Sequence, residues 1–243
     1  MYKDYSKNSK YKIVSELGNG AFGKVYKVVD KTILYRDEFY AIKEISVNGL
    51  NNDTIQEMKN EAIVLSKLKS RNIVKYIESF EDNDKNTFNI VMEYCPKGDL
   101  RKFINGYKKL GKMINEDVIY SIILDICNGI KKIHDNNIIH RDLKPENIFI
   151  DNVYNIKIGD LEISKQLSEN TLYAKTFAGT RNYMSPEIFN NDIYNNKVDI
   201  WALGCIIYEL FTLNLCFNQS NFVTKIIGGI YEKIIYQNNI FSD

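Results

Sequence analysis

The chain has 243 residues, 44% of them hydrophobic and 26% charged, with a formal net charge of +1. Such a chain is long enough to bury a core without disulfide or metal staples, and its near-neutral balance excludes a global field for nucleic acid or a membrane surface. The four cysteines form no C-x-x-C pair and only two histidines occur, which argues against a Cys/His zinc site and for reduced, mostly buried thiols. The N-terminus is polar from Met1, and the longest apolar stretch, Trp201 to Leu213, is short and broken by Glu209. No signal or membrane-spanning segment is therefore expected, and a cytoplasmic or nuclear placement is.

Residues 11–14, 24–29 and 39–45 read as strands around a glycine turn. Residues 53–68 read as a helix, with Asp53 as N-cap, Gln56 completing a capping box, and Ile55, Met58, Ala62, Leu65 and Leu68 at helical spacing. Strands at 73–80 and 88–94 follow, and Cys95-Pro96-Lys97-Gly98 breaks the pattern like a hinge. Beyond it the chain turns mostly helical. Asn115 is placed to cap a long helix with the apolar stripe Val118, Ile119, Ile122, Ile123, Ile126, Ile130 and Ile133. Short strands and turns are expected over 138–158, a long loop over 161–194, and helices near 197–211 and 221–228. Strands first and helices second, with one hinge, imply an α+β architecture of two lobes, and a long loop in such a domain signals function.

Six motifs carry chemistry. Gly18-Asn19-Gly20-Ala21-Phe22-Gly23-Lys24-Val25 fits G-x-G-x-x-G-x-V, which lets a backbone approach phosphates. A glycine turn of this kind serves structure equally well, and it also opens dinucleotide-binding units. There a helix follows, whereas here a strand does. Lys43 lies on a strand of apolar neighbours, and Glu61, mid-helix, is its natural partner because a buried carboxylate needs one. Ile139-His140-Arg141-Asp142-Leu143-Lys144-Pro145-Glu146-Asn147 matches H-R-D-L-x-x-x-N in full. Asp160 follows in Gly159-Asp160-Leu161-Glu162, then come Gly179-Thr180, Ser185-Pro186-Glu187 and Val198-Asp199-Ile200-Trp201.

In this order, these motifs resemble the eukaryotic protein kinases from residue 11 to about 240. The resemblance implies a two-lobed protein kinase fold over 11–243, with an N-lobe at 11–92, a hinge at 93–98 and a C-lobe at 99–243 whose last helices are missing. It implies a serine/threonine kinase using ATP and Mg²⁺ (or Mn²⁺) on protein substrates, with no nucleic-acid or membrane partner. Asp142 would take or orient the substrate hydroxyl, Lys144 would steady the γ-phosphate, Lys43 and Glu61 would serve the α/β-phosphates, and Asn147 and Asp160 would hold metal. The ATP site would comprise Leu17, Gly18, Asn19, Gly20, Ala21, Phe22, Gly23, Val25, Ala41, Lys43, Met92, Glu93, Cys95 and Phe149. Met92 would be the gatekeeper, and Leu65, Tyr76, His140 and Leu161 would form a stacked column. Asp199, Glu187 and Thr180 would support the loops, and a phosphate on Thr176 would pair with Arg141. Tyr94-Cys95 with Gly98-Asp99-Leu100, and Ala174–Thr180 with Tyr183-Met184-Ser185-Pro186-Glu187, resemble the NIMA-related (never-in-mitosis) kinases, a family linked to mitosis, centrosomes and cilia.

Three features depart from the pattern. Glu162 stands where kinases carry glycine, Arg181-Asn182 replaces Pro-Tyr, and no arginine follows Arg181 to pair with Glu187. Glu162 and the missing C-terminal helices support an alternative reading, a pseudokinase or nucleotide-binding scaffold, which intact Lys43, Asp142, Asn147 and Asp160 oppose; Arg181-Asn182 bears on the choice of substrate.

Overall fold

Antiparallel strands make up most of the first half of the chain. The structure, a computed structural model, describes residues 3–5, 10–20, 23–33, 38–161, 180–217 and 222–231. It divides into two units, 1–97 with 149–175 and 98–148 with 176–243. In the first unit, β1 (Lys3–Asp4), β2 (Tyr11–Gly20), β3 (Gly23–Asp30), β4 (Phe39–Ser46), β5 (Tyr76–Asp82) and β6 (Thr87–Glu93) form one antiparallel sheet of order β1-β2-β3-β4-β6-β5. Successive residues of β4 point to opposite faces. Ile42 joins Tyr5, Tyr11, Val28 and Val91 on one face, while Ile45 joins Phe88, Ile90, Met58 and Ala62 on the other. Met58 and Ala62 belong to α1 (Asn52–Ser66), so α1 covers the face that Lys43 shares with Ile45.

The cap of α1 differs from the expected one. Asn51 is the N-cap, and its side chain accepts from the Thr54 amide at 2.8 Å. Asp53 sits in the first turn, and Gln56 bonds forward to Asn60 instead of back to a cap. Either residue satisfies the composition rule; the backbone selects Asn51 because it is the one in extended conformation. Likewise, the strand expected from residue 73 begins at Tyr76, and Ile73 forms an isolated parallel bridge to Ile158. That residue closes β8 (Ile156–Ile158), which pairs with β7 (Ile148–Ile150). The strand β1 was not expected: two residues carry no periodicity.

The second unit is helical. Asp99 caps α2 (Leu100–Leu110), accepting from the Lys102 amide at 2.8 Å, and Gly111 ends it in the left-handed region. Asn115 caps α3 (Glu116–His134) as expected, accepting from the Asp117 amide. Ile119, Ile122, Ile126, Ile130 and Ile133 of its stripe are buried, while Val118 is exposed. Each such isoleucine contributes about 1.5–3 kcal/mol by leaving water. The stretch expected as loop from 180 onward holds a 3-10 turn, Thr180–Tyr183, and one helical turn, α4 (Pro186–Phe189). Proline at the first helical position pre-sets the backbone and lacks only an amide that a helix start leaves unpaired anyway. α5 (Lys197–Thr212) and α6 (Phe222–Gly228) follow, and α3 packs on α5.

Candidate active site

In the first unit, Lys43 projects from β4 and its ammonium donates to the Asp160 carboxylate. Asp160 follows β8 in the left-handed region (φ 53°), an uncommon state for a residue with a side chain. Glu61, the expected partner of Lys43, lies on α1, and its side chain is outside the described residues. Lys43 and Asp160 line a cavity whose walls also include Leu65, Val74, Tyr76, Met92, Ile158 and Leu161. Leu65, Tyr76 and Leu161 of the expected column thus meet there, and Met92 joins them; His140 belongs to the other unit. Gly159 is required by packing: a Cβ there would stand 2.8 Å from both Phe149 and Val74. Ala41 and Cys95 are buried, Val25 and Phe149 half-buried, and Leu17 exposed. Burial, then the Glu93 carboxylate, pushes the Cys95 thiol up to about 12.

In the second unit, Asp199 on α5 is buried and accepts from the amides of His140 and Arg141, both at 2.9 Å. His134 Nε2 lies 2.7 Å from the same carboxylate. A carboxylate can only accept, so Nε2 carries the proton. These bonds fix Arg141 in the left-handed region (φ 67°) and turn the next residue, Asp142. Lys144 Nζ donates to Asp142 Oδ2 at 2.6 Å, and Asn147 Nδ2 donates to that oxygen at 3.0 Å and to the Asp142 carbonyl at 2.8 Å. Asn147 is buried at the end of the 3-10 turn Pro145–Asn147. With its amide nitrogen committed to Asp142, Asn147 has its carbonyl oxygen left to accept. In the first unit, Asp160 offers carboxylate oxygens beside the Lys43 ammonium; in the second, Asn147 offers an amide oxygen beside Asp142 and the Lys144 ammonium. Each unit thus carries hard oxygen donors next to a cation, the kind of chemistry that suits phosphate and a small hard divalent cation.

The family description "Protein kinase domain" matches residues 11–241. The chain belongs to the protein kinase family. It is 42% identical over 228 residues to serine/threonine-protein kinase Nek1 of Mus musculus, covering 93% of this chain and 18% of that protein. Over 230 residues it is 39% identical to probable serine/threonine-protein kinase nek2 of Dictyostelium discoideum, covering 92% of this chain and 54% of the other. With serine/threonine-protein kinase Nek2 of Homo sapiens it shares 34% identity over 240 residues, covering 96% and 53%. The kinase domain is of the NIMA-related serine/threonine type. The chain spans between about a fifth and about half the length of these relatives.

The kinase domain also holds contacts that motif reading missed. Glu93 accepts from Lys157 Nζ at 2.9 Å and from the Lys75 amide at 2.6 Å. Lys27 lies over the rings of Phe39 and Tyr94, at 3.6 and 4.6 Å from their centroids. Arg101 joins Glu146, Glu209 and Tyr183. Local sequence gives no signal for these contacts, because each joins segments far apart in the chain. Arg141 lies 5.9 Å from the Tyr194 ring. Glu187 has no ion pair among the described residues. Ala21, Phe22, Glu162 and Thr176 lie outside the described residues, as does the side chain of Thr180. Among the described residues no helix is long and apolar enough to cross a membrane.

Proposed function

We propose that this domain is an active kinase that moves the γ-phosphoryl of ATP onto serine or threonine hydroxyls of proteins. The observation that carries this reading is the Asp142 carboxylate, held on one oxygen by Lys144 and Asn147. Asp142 receives the proton of the substrate hydroxyl as that oxygen attacks phosphorus in line with the leaving ADP. Lys144 balances charge on the transferring group, and Lys43 does so at the α/β-phosphates. Asn147 and Asp160 are the residues to hold Mg²⁺, which when bound neutralises phosphate charge. Val25, Ala41 and Phe149 pack the adenine, with Met92 behind it and the Glu93 and Cys95 backbone beside it. Lobes at 11–92 and 99–243, joined by a hinge at 93–98, belong to the same reading, as do a cytoplasmic or nuclear placement and a cell-cycle or cytoskeletal role. Activation by phosphate on Thr176, paired with Arg141, completes it.

The test is transfer of labelled phosphate from Mg-ATP to a generic protein substrate, comparing the chain with Asp142→Asn. The variant is expected to lose on the order of 10²–10⁴-fold in rate, the usual contribution of a positioned general base. Phosphoamino-acid analysis then separates serine/threonine from tyrosine. Nucleotide binding with no transfer above the variant would establish the pseudokinase alternative instead and make Glu162 the first residue to revert.

A further inference from the structure

Arg101, second residue of α2, makes four side-chain hydrogen bonds to three separate segments. Nε donates to Glu146 Oε1 at 2.7 Å. Nη1 donates to Glu209 Oε1, and Nη2 to Glu209 Oε2 at 3.2 Å and to the Tyr183 hydroxyl. Tyr183 in turn donates to Glu209 Oε2. The base of the arginine is fixed as well, because Asp99 caps its helix and Leu100 and Ile104 are fully buried beside it. Glu209, on α5, is 2% exposed, so it needs a cationic partner whatever else the arginine does. Glu146 does not: its side chain is 46% exposed, where an ion pair adds little stability. Its bond to Arg101 therefore has a different consequence. Glu146 sits between Pro145 and Asn147 in the turn whose last residue holds Asp142. A guanidinium is a rigid planar fork, so one group fixes the relative position of every acceptor it serves.

We propose that Arg101 is a positioning residue for phosphoryl transfer: it sets the Pro145–Asn147 turn, and through Asn147 the carboxylate of Asp142, against Tyr183 and the buried Glu209. The proposal rests on the reading of Asp142 given above. Lysine cannot replace this arginine, because one ammonium lacks the fork that serves all the acceptors together. The effect falls on the protein substrate. Lys43, Met92 and Asp160, which line the cavity of the first unit, have no part in the cluster.

Two readouts on the full chain test it, steady-state kinetics and amide hydrogen exchange. Glu146→Ala and Arg101→Lys are expected to lower kcat/KM for a protein substrate by about tenfold, the equivalent of one charge-assisted hydrogen bond. The KM for ATP is expected to stay within about twofold, since uniform nucleotide binding is untouched. Exchange is expected to rise over residues 142–147 and to stay unchanged over 119–133. The double variant Arg101→Leu/Glu209→Leu removes both buried charges together, so it keeps the fold and still shows the loss. A double variant with the kcat/KM of the parent would overturn the proposal and leave the cluster purely structural. So would unchanged exchange over 142–147 in Glu146→Ala. If the parent chain transfers no phosphate, the kinase reading falls and exchange alone decides: a local rise still supports the positioning, and none rejects it.

Discussion

Within one glycine motif, single residues have different reasons for being glycine. Gly23 has φ 133°, and a Cβ there would lie 1.7 Å from the Glu44 carbonyl oxygen, so β4 itself excludes a side chain. At Gly18 an added Cβ meets nothing within 4 Å, so the position is sterically open. We expect Gly23→Ala to cost at least about 2 kcal/mol, from backbone strain and overpacking together. Gly18→Ala, with neither, is expected to stay within about 0.5 kcal/mol. Urea unfolding of the two variants compares them, and equal midpoints would mean that β4 shifts freely to admit the methyl group. The same contrast explains what was legible at this scale. Asp142, Lys144 and Asn147 bond across two and five positions, so a short motif contains their whole geometry. The partners of Arg101 stand 45, 82 and 108 residues away, and no local pattern encodes them. Lys43 and Asp160, 117 residues apart, were each legible singly, but not as a pair.

At the scale of elements, burial period and capping chemistry wrote most of the fold into the sequence. The isoleucine stripe and Asn115 gave α3 its face and its start. The start of α1 was misread because Asn51 and Asp53 both suit an N-cap, and only backbone conformation separates them. The correction has a measurable consequence. Asn51→Ala removes the acceptor of the Thr54 amide and is expected to cost about 1 kcal/mol. Asp53→Ala loses only a first-turn charge, worth about 0.3–1 kcal/mol at low ionic strength, and that loss should fade in high salt. Thermal melts of both variants at low and high salt check this, and a salt-independent loss at Asp53 larger than that at Asn51 would restore the original assignment. The strand β1 was illegible for a different reason: its hold on the sheet comes from Tyr5, buried between Val28, Ile42 and Val91, and that contact is wholly non-local.

For the whole molecule, buried phenols and thiols set a limit on the alkaline side. Burial, then Glu44, holds the Tyr5 hydroxyl far above the usual tyrosine value; burial, then Glu78, does so for Tyr11, and burial, then Glu209, for Tyr183. Cys95 is pushed from 9.0 up to about 12. Tyr5, Tyr11 and Cys95 lie in the first unit and Tyr183 in the second, so both units carry such groups. All four are neutral when protonated, and the folded state keeps that proton at pH values where the unfolded chain has released it. Their contribution to stability is therefore fully present below about pH 9 and is lost as pH rises, first through Cys95 and then through the tyrosines from about pH 10. Lys10, raised by its bond to Glu78, has the same sign: it too favours the protonated folded form and loses that advantage on deprotonation. The melting temperature is thus expected to hold to about pH 8.5 and then fall progressively towards about pH 11. Phenolate absorbance gives an independent check, because Tyr5, Tyr11 and Tyr183 of the 17 tyrosines should stay silent in the folded chain and titrate together on unfolding. Tyr183→Phe should flatten the alkaline slope of the second unit while lowering stability at neutral pH through the lost bond to Glu209. A melting temperature unchanged between about pH 9 and about pH 11, with all tyrosines titrating in the folded chain, would mean that these hydroxyls are open to water and that the packing described around Tyr5 and Tyr183 is wrong.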